Sequence, residues 1–187
     1  DCLLSRGLGD VYKRQGLGLL TWYALRSLFS RGEKTSGDRL TKSDLPWLGG
    51  AILTGGIAGP VLLMIGLTLT PASSASLLLN IEGVLTALLA WFVFKENFDR
   101  RIFAGMVLIV IAGILLSWDE RPELEIPWGA LAIVAACLCW AIDNNLTRKV
   151  SASDAVQIAG IKGLVAGSVN LSIALALGYS VPAITSL

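Results

Sequence analysis

The chain has 187 residues, of which 54% are hydrophobic and 16% charged, with a net charge of +1 and a mean hydropathy of +0.68. A soluble domain carries far more charge on its surface, so this composition excludes an ordinary soluble domain and is typical of a membrane protein. The nearly neutral charge gives no basic or acidic field, so no nucleic-acid partner is predicted. The sequence contains no histidine, which excludes His-ligated metal sites and Ser–His or Cys–His catalytic pairs, and we predict neither a metal site nor a cofactor. It also lacks the G-x-x-x-x-G-K-S/T loop by which ATP-driven pumps bind phosphate.

Residues 1–15, DCLLSRGLGDVYKRQ, differ in character from everything that follows. They are polar and contain glycine, and an apolar run begins abruptly after them. The back-translation of residues 5–15 resembles the transposase mosaic-end adapter of shotgun sequencing libraries. We therefore interpret residues 1–15 as a sequencing-adapter artefact, with a short basic tail or a signal-peptide n-region as the alternative.

Long apolar runs in the rest of the chain predict membrane-spanning helices. In chain order, the predicted helical segments are residues 16–29, 46–67, 72–94, 102–118, 126–146 and 154–177. The first segment is too short to cross a bilayer and is interpreted as the second half of a cut helix. Between residues 45 and 94 the only charge is Glu82, yet this run is too long for one helix. The break is placed at residues 68–76, where Pro71 and a serine cluster interrupt the pattern.

Small residues recur within these segments at four-residue spacing, which predicts close helix packing. The spacing is seen at Gly55 and Gly59, at Gly163 and Gly167, and at Gly83 and Ala87. Pro60 lies inside the second segment, so a kink is expected there.

Basic residues in the connecting loops predict the orientation of the chain. Lys or Arg occurs in the loops at residues 30–44, 95–101 and 147–153, whereas the turn near Pro71 has none and residues 119–126 are acidic. We therefore predict that the three basic loops are cytoplasmic and that loop 119–126 is external in a multi-pass protein of the plasma (inner) membrane. Tryptophans at predicted helix ends fit interface anchors: Trp47, Trp118 and Trp128.

Few polar groups lie inside the predicted spans, and these are the candidate functional residues. In order of preference they are Glu82, Asn80, Asp143, Asn145 and Lys162. A charge at the bilayer centre costs several kcal/mol, so such groups should face the bundle interior or a wet cavity.

Each candidate also has a structural interpretation. Glu82 fits either a substrate or proton pathway or a buried carboxyl that bonds a neighbouring helix. Lys162 could extend toward the cytoplasmic headgroups, and Asp143 could lie at a solvated helix end. The asparagines could bond a substrate or another helix.

Residues 71–118, PASSASLLLNIEGVLTALLAWFVFKENFDRRIFAGMVLIVIAGILLSW, resemble the end of an EamA domain, the repeat unit of the drug/metabolite transporter superfamily. The family pattern has a mid-span acidic residue, a T-A-L-L-A-W-like run, an acidic residue at the cytoplasmic turn, and a last helix with early and late glycines. The matching positions are Glu82, residues 86–91, Glu96, Gly105 and Gly113. The chain departs from the pattern at Gly83, where many members carry proline. Residues 128–150 resemble the opening helix of a second EamA repeat.

This resemblance implies an all-α polytopic membrane protein, a helical bundle that forms part of a ten-helix inverted-repeat (5+5) transporter fold. Residues 16–118 would hold the end of the first repeat, with part of helix two and helices three to five. Residues 119–126 would be an external acidic linker, and residues 127–187 would begin the second repeat with helices six and seven.

The resemblance also implies a function and its partners. The intact protein would be a secondary transporter, an exporter or exchanger of small organic metabolites, amino acids or drugs, with proton or solute counter-transport. It would sit in the lipid bilayer and hold its small-molecule substrate near the midplane during alternating access.

Two other functions compete with transport. A non-transporting membrane scaffold or subunit is the first alternative. A membrane-embedded enzyme is less favoured, because the chain offers scattered carboxylates rather than a convergent catalytic set.

Overall fold

The structure is a computed structural model that describes residues 17–19, 21–22, 40–97, 99–116, 128–151 and 153–176. From residue 40 onward, the described residues form the helices α1 (Leu45–Leu69), α2 (Ala72–Leu79), α3 (Ile81–Phe92), α4 (Arg100–Leu116), α5 (Trp128–Lys149) and α6 (Ala155–Ala176). Residues 17–19 and 21–22 are also helical. Most of the predicted segment 16–29, most of loop 30–44 and the whole of linker 119–126 lie outside the described residues.

Among the described residues, four stretches are long and apolar enough to cross a membrane: α1, the α2–α3 stretch Ala72–Phe92, α5 and α6. α4 spans 17 residues, and the end of its predicted span at 117–118 lies outside the described part of the chain. Its large side chains are well exposed, with Leu108 at 65% and Leu115 at 68%. Exposed leucines along a whole helix fit an environment of lipid or further helices rather than water. The predicted all-α, multi-pass membrane fold is thereby confirmed.

α1 begins directly after a tight polar turn. The Thr41 backbone N–H and hydroxyl donate to Asp44 Oδ2 at 2.9 and 2.7 Å. These donations, the backbone one first, hold the pKa of the Asp44 carboxyl below its ordinary value. The carboxylate therefore stays ionised at neutral pH beside the first turn of α1, where a negative charge is favourable.

α1 changes its winding in the middle. It is α-helical over Leu45–Ala51 and Gly59–Leu69 but π-helical over Ile52–Ala58. A proline lacks the N–H that would bond the carbonyl four residues earlier, and its ring crowds that carbonyl, so Pro60 disfavours regular α-helix immediately before it. The sequence predicts a kink at Pro60, and the structure shows a π-helical segment ending two residues before it.

The predicted break between the second and third segments consists of only Thr70 and Pro71 in the structure. Thr70 is extended, at φ −135° and ψ 136°, and Pro71 precedes α2. The segment predicted over 72–94 is found as the span Ala72–Phe92, within which Asn80 separates α2 from α3. Its backbone N–H bonds Leu77 O at 3.1 Å, a three-residue spacing that tightens the turn. Its side-chain amide donates to the carbonyls of Ser76 and Leu77, so it competes with the backbone for helix acceptors.

α3 ends in a left-handed cap. Lys95 has φ 53°, and the Glu96 N–H reaches back to Ala90 O at 3.1 Å. This bond closes around one left-handed residue and gives a carbonyl near the end of the helix a donor. The helix therefore stops at Phe92, close to the predicted charged turn at 95–101.

The chain divides into two units, Asp1–Ile57 with Leu146–Leu187, and Ala58–Asn145. In the first, the start of α1 packs on the end of α5 and on α6 through a core of buried residues: Leu48, Ile52, Val150, Ile158 and Ala166. Asp154 caps α6, because its Oδ1 accepts from the N–H groups of Val156 and Gln157 at 2.8 and 3.2 Å.

In the second unit, the end of α1 packs closely on α5. A Cβ on Gly59 would lie 2.7 Å from Trp140 Nε1, and one on Gly66 would lie 2.9 Å from Gly129 O. Close packing predicted for small residues is therefore found at Gly59. At Gly83, no atom of the described residues lies within 4 Å of the place that a Cβ would occupy.

Candidate functional site

Glu82 lies inside the membrane-spanning stretch Ala72–Phe92, in the first turn of α3. Its side chain is half-buried, and its Oε1 accepts a hydrogen bond from Asn144 Nδ2 on α5 at 3.0 Å. The first turn of a helix presents unpaired N–H groups and the positive end of its dipole, both of which favour a carboxylate. The break at Asn80 thus creates a helix start inside the span and puts the acidic side chain there.

Thr86 lies one turn after Glu82 on the same helix, and it takes part in the same cluster. Asn144 Nδ2 lies 3.5 Å from Thr86 Oγ1, in addition to its contact with Glu82. The amide of Asn144 therefore bridges two groups spaced four residues apart on α3. We call Glu82, Thr86, Asn144 and Asn145 the α3–α5 polar cluster.

Asn145 is the buried member of the α3–α5 polar cluster. It is only 4% exposed, and its Nδ2 donates to Thr86 O at 3.1 Å and to Ala141 O of its own helix at 2.8 Å. Both contacts are to backbone carbonyls, so this amide links α5 to α3. A bond between spans of this kind holds helices together where lipid offers no hydrogen-bonding partner.

Asn80, the second candidate from the sequence, lies outside the cluster. Its side chain is exposed, and its amide donates to Ser76 O and Leu77 O of its own chain segment at 3.1 and 3.2 Å. Nearby, the buried thiol of Cys137 lies 3.7 Å from Leu78 O. Asn80 and Cys137 thus satisfy backbone carbonyls at the break that positions Glu82.

The two remaining candidates are Asp143 and Lys162. Asp143 is half-buried on α5, next to Asn144 in the chain. Lys162 belongs to the other unit, where its Nζ donates to Thr147 Oγ1 at 3.0 Å. Lys162 therefore bonds a hydroxyl near the end of α5.

Two members of the cluster, Thr86 and Asn144, are not among the sequence candidates. A spacing of four residues between Glu82 and Thr86 is a usable signal, since such residues share a helix face. Asn144 and Asn145 are adjacent, and only the rotation of α5 decides which one meets Glu82.

The α3–α5 polar cluster contains a half-buried carboxyl group beside an amide and a hydroxyl, which are hydrogen-bonding groups inside an apolar span. Among the described ranges, no three His, Cys, Asp or Glu side chains lie together as a metal site would require.

Comparison with known proteins identifies the family. The model of the EamA-like transporter family matches residues 16–118, more than half of the chain. The chain belongs to the EamA-like transporter family. The resemblance predicted from residues 71–118 is thereby confirmed.

Curated relatives of this EamA-like chain are also named as transporters. An uncharacterized transporter of Methanothermobacter thermautotrophicus is 30% identical over 163 residues, which cover 84% of this chain and 47% of the relative. The uncharacterized transporter YyaM of Bacillus subtilis is 28% identical, covering 65% of this chain and 40% of the relative. A probable amino-acid metabolite efflux pump of Salmonella typhimurium is 32% identical over 81 residues, covering 43% of this chain and 27% of the relative.

The chain thus spans about half the length of the archaeal relative and less of the other two. No solved structure matches it.

Proposed function

We propose that the whole protein is a secondary transporter that moves small organic metabolites, amino acids or drugs across the plasma (inner) membrane by alternating access. Family membership and the transporter names of its relatives support this proposal. The name of the Salmonella relative makes amino acids and their metabolites the first solutes to test. The protein would act as an exporter or exchanger, with proton or solute counter-transport as the driving process.

The observation that carries the proposal is the hydrogen bond between Glu82 and Asn144. A carboxyl group within a span is expensive, so it must have partners or water. Here one oxygen is bonded across to α5 and the group sits at a helix start inside the membrane. Discontinuous helices whose ends face a binding site recur in secondary transporters.

The same contact explains how binding could affect helix packing. Protonation of Glu82, or its pairing with a cationic solute, weakens the charge-assisted bond from Asn144. Because Glu82 is on α3 and Asn144 is on α5, a change of charge at one side chain alters the contact between two spans. Asn145 retains its two backbone contacts throughout and limits the separation of α3 and α5 near Thr86.

The candidate residues take different roles in this proposal. Glu82 binds the proton or solute, and Asn144 orients its carboxyl group. Asn80 maintains the break that makes Glu82 a helix-start residue. Asp143 and Lys162 are secondary polar groups of the pathway.

The proposal also includes the orientation of the loops and the division of the chain into two repeats. Loops 30–44, 95–101 and 147–153 are placed in the cytoplasm and loop 119–126 outside. Residues 16–118 and 127–187 are assigned to two EamA repeats of a 5+5 fold. The exposed tryptophans at the starts of α1 and α5, Trp47 and Trp128, support spans that begin at membrane interfaces.

The test is an efflux assay on cells that express the full-length protein, with a panel of radiolabelled amino acids. The Glu82→Gln variant removes the titratable charge with almost no change in shape. We expect it to reduce efflux to near the level of cells without the protein, while the amount in the membrane is unchanged. Glu123→Gln, the same change in the acidic 119–126 loop, should leave efflux intact. Normal efflux by the Glu82→Gln variant would remove Glu82 from the mechanism.

A further inference from the structure

The side-chain amide of Asn144 has two ends, and only one of them faces Glu82. Its Nδ2 donates to Glu82 Oε1 at 3.0 Å and lies 3.5 Å from Thr86 Oγ1. An ionised carboxylate accepts hydrogen bonds and cannot donate them, so it attracts the NH₂ end of an amide and repels the oxygen end. The oxygen of this amide, Asn144 Oδ1, belongs to an exposed side chain and has no hydrogen-bond partner among the described residues.

The carboxyl group of Glu82 likewise keeps one oxygen for a ligand. Within the described part of the chain, its Oε1 is hydrogen-bonded and its Oε2 is not. The lengths of the C=O and C–N bonds separate Oδ1 from Nδ2 of an amide by about 2.2 Å. Since Nδ2 lies 3.0 Å from Glu82 Oε1, Asn144 Oδ1 is no more than about 5 Å from the carboxyl group. A single ammonium nitrogen at about 2.9 Å from each of two oxygens can bridge such a gap.

Thr86 adds a hydroxyl group that its own helix does not use. The hydroxyl of Thr54 in α1, by comparison, donates to Gly50 O, four residues earlier, at 2.8 Å. Bonds of this kind are a common way for a threonine inside a helix to satisfy its hydroxyl. Among the described residues, the Thr86 hydroxyl makes no such bond, so it can turn toward a solute.

The charged side chains within the spans of this unit have one sign. In the second unit, Ala58–Asn145, the stretches that can cross a membrane carry two charged side chains, Glu82 and Asp143. Both are acidic, so the electrostatic field inside these spans favours a cation. Glu82 lies halfway along the 21-residue stretch Ala72–Phe92, which puts it far from the lipid headgroups. The cation that suits this position is therefore a solute and not a headgroup.

We propose that the α3–α5 polar cluster binds the protonated primary amino group of the transported solute. The Glu82 carboxylate supplies the opposite charge, and Asn144 Oδ1 and Thr86 Oγ1 accept two of the three N–H groups. Asn144 is thereby a specificity-determining residue, because its amide orients the carboxyl group at one end and binds the amino group at the other. The amino group is that of the solute in the proposed function, so the assignment rests on that function.

The test is thermal unfolding of the purified full-length protein in detergent with one of four salts at equal ionic strength. These are n-butylammonium chloride, tetramethylammonium chloride, sodium butyrate and sodium chloride. A ligand that binds the folded state raises the Tm, so we expect n-butylammonium to raise it by about 2 °C or more over sodium chloride. Tetramethylammonium, which has the charge but no N–H group, should give less than half of that rise, and butyrate none. No rise with n-butylammonium, or an equal rise with tetramethylammonium or butyrate, would overturn the assignment.

Variants locate the binding within the protein. Asn144→Leu and Glu82→Gln should each lose at least half of the rise that n-butylammonium produces in the parent protein. Asn170→Leu is the matched control, because it makes the same change in α6 of the first unit, where the amide donates to Gly56 O at 2.8 Å. It should keep the whole rise. A full rise in Asn144→Leu, or an equal loss in Asn170→Leu, would contradict the role of Asn144.

The same salts separate this assignment from the proposed function. Transport of a solute by a protein that n-butylammonium does not stabilise would overturn amino-group recognition and leave the transporter proposal intact. Stabilisation by n-butylammonium that depends on Asn144, in a protein that moves no solute, would support the amino-group site and contradict the proposed function.

Discussion

Two adjacent asparagines in α5 serve different purposes at the residue scale. Asn144 is exposed and bonds the side chains of Glu82 and Thr86, whereas Asn145 is buried and bonds two backbone carbonyls. A side chain that bonds another side chain can release it as the charge of its partner changes. A side chain that bonds backbone carbonyls, as Asn145 does, holds α3 and α5 together whatever the charge of Glu82.

This difference predicts that replacing each asparagine by leucine affects a different property of the protein. Asn145→Leu removes the buried side-chain donor to the carbonyls of Thr86 and Ala141, so it should destabilise the full-length protein by about 1 kcal/mol. Asn144→Leu should leave the Tm nearly unchanged while it impairs efflux. The Tm in detergent, followed by circular dichroism, and the efflux assay together decide the matter. Equal loss of stability in both variants would show that the two asparagines share one structural role.

The sequence could predict part of this site because a charge in an apolar run is conspicuous. Glu82 is the only charged residue between residues 45 and 94, and this alone identifies it. Asn80, which is close to Glu82 along the chain, is among the sequence candidates, whereas Asn144 is not. In space, however, the partner of Glu82 comes from 62 residues further on. Such a partner depends on how two helices are rotated against each other, which no local pattern encodes.

At the scale of the elements, the spans follow from hydropathy and their interruptions follow from individual residues. The predicted segments 126–146 and 154–177 are found as α5 at Trp128–Lys149 and α6 at Ala155–Ala176, with each end within three residues of its predicted position. The sequence does not predict the break at Asn80 or the π-helical segment in α1. A run that is apolar on all sides has the same pattern whether its hydrogen bonds join residues four or five apart. These features therefore become visible only with the backbone.

Close packing of α1 on α5 gives a prediction for glycine substitution. A methyl group on Gly66 would lie 2.5 Å from Ile133 Cγ1 and 2.9 Å from a backbone oxygen, so the helices must move apart. Gly66→Ala should destabilise the full-length protein by about 1–3 kcal/mol, the usual range for overpacking. Gly49→Ala in the same span has open space at the Cβ position and should be neutral or stabilising by up to about 1 kcal/mol. A Tm for Gly66→Ala at or above that of Gly49→Ala would contradict the packing of α1 on α5.

At the scale of the whole molecule, membership of the EamA-like transporter family rests on residues 16–118. The four apolar spans agree with a multi-pass membrane protein. Orientation and the two-repeat organisation remain predictions from the basic loops and from the resemblance of residues 128–150. Spans and orientation can be predicted from the sequence, because hydropathy and loop charge reflect contact with lipid and water rather than contacts between side chains.

Orientation can be checked with reporter fusions in the full-length gene. Alkaline phosphatase is active only outside the cytoplasm. Green fluorescent protein does not fluoresce after export through the general secretion pathway, so its fluorescence indicates a cytoplasmic position. We expect a fusion after residue 97 to fluoresce without phosphatase activity, and a fusion after residue 122 to show the reverse. The opposite pair of results would invert the proposed topology, and with it the side from which each span begins.

The most direct test of the central claim is entrance counterflow with the purified full-length protein in liposomes that contain no other protein. Vesicles loaded with unlabelled amino acids would be diluted into traces of the same labelled compounds, so that accumulation of label reports exchange through the protein. The account predicts accumulation of at least one labelled amino acid by the parent protein, and accumulation no greater than in protein-free vesicles for Glu82→Gln. Accumulation by Glu82→Gln equal to that of the parent would contradict the claim that solute or proton passage depends on the carboxyl group held by Asn144.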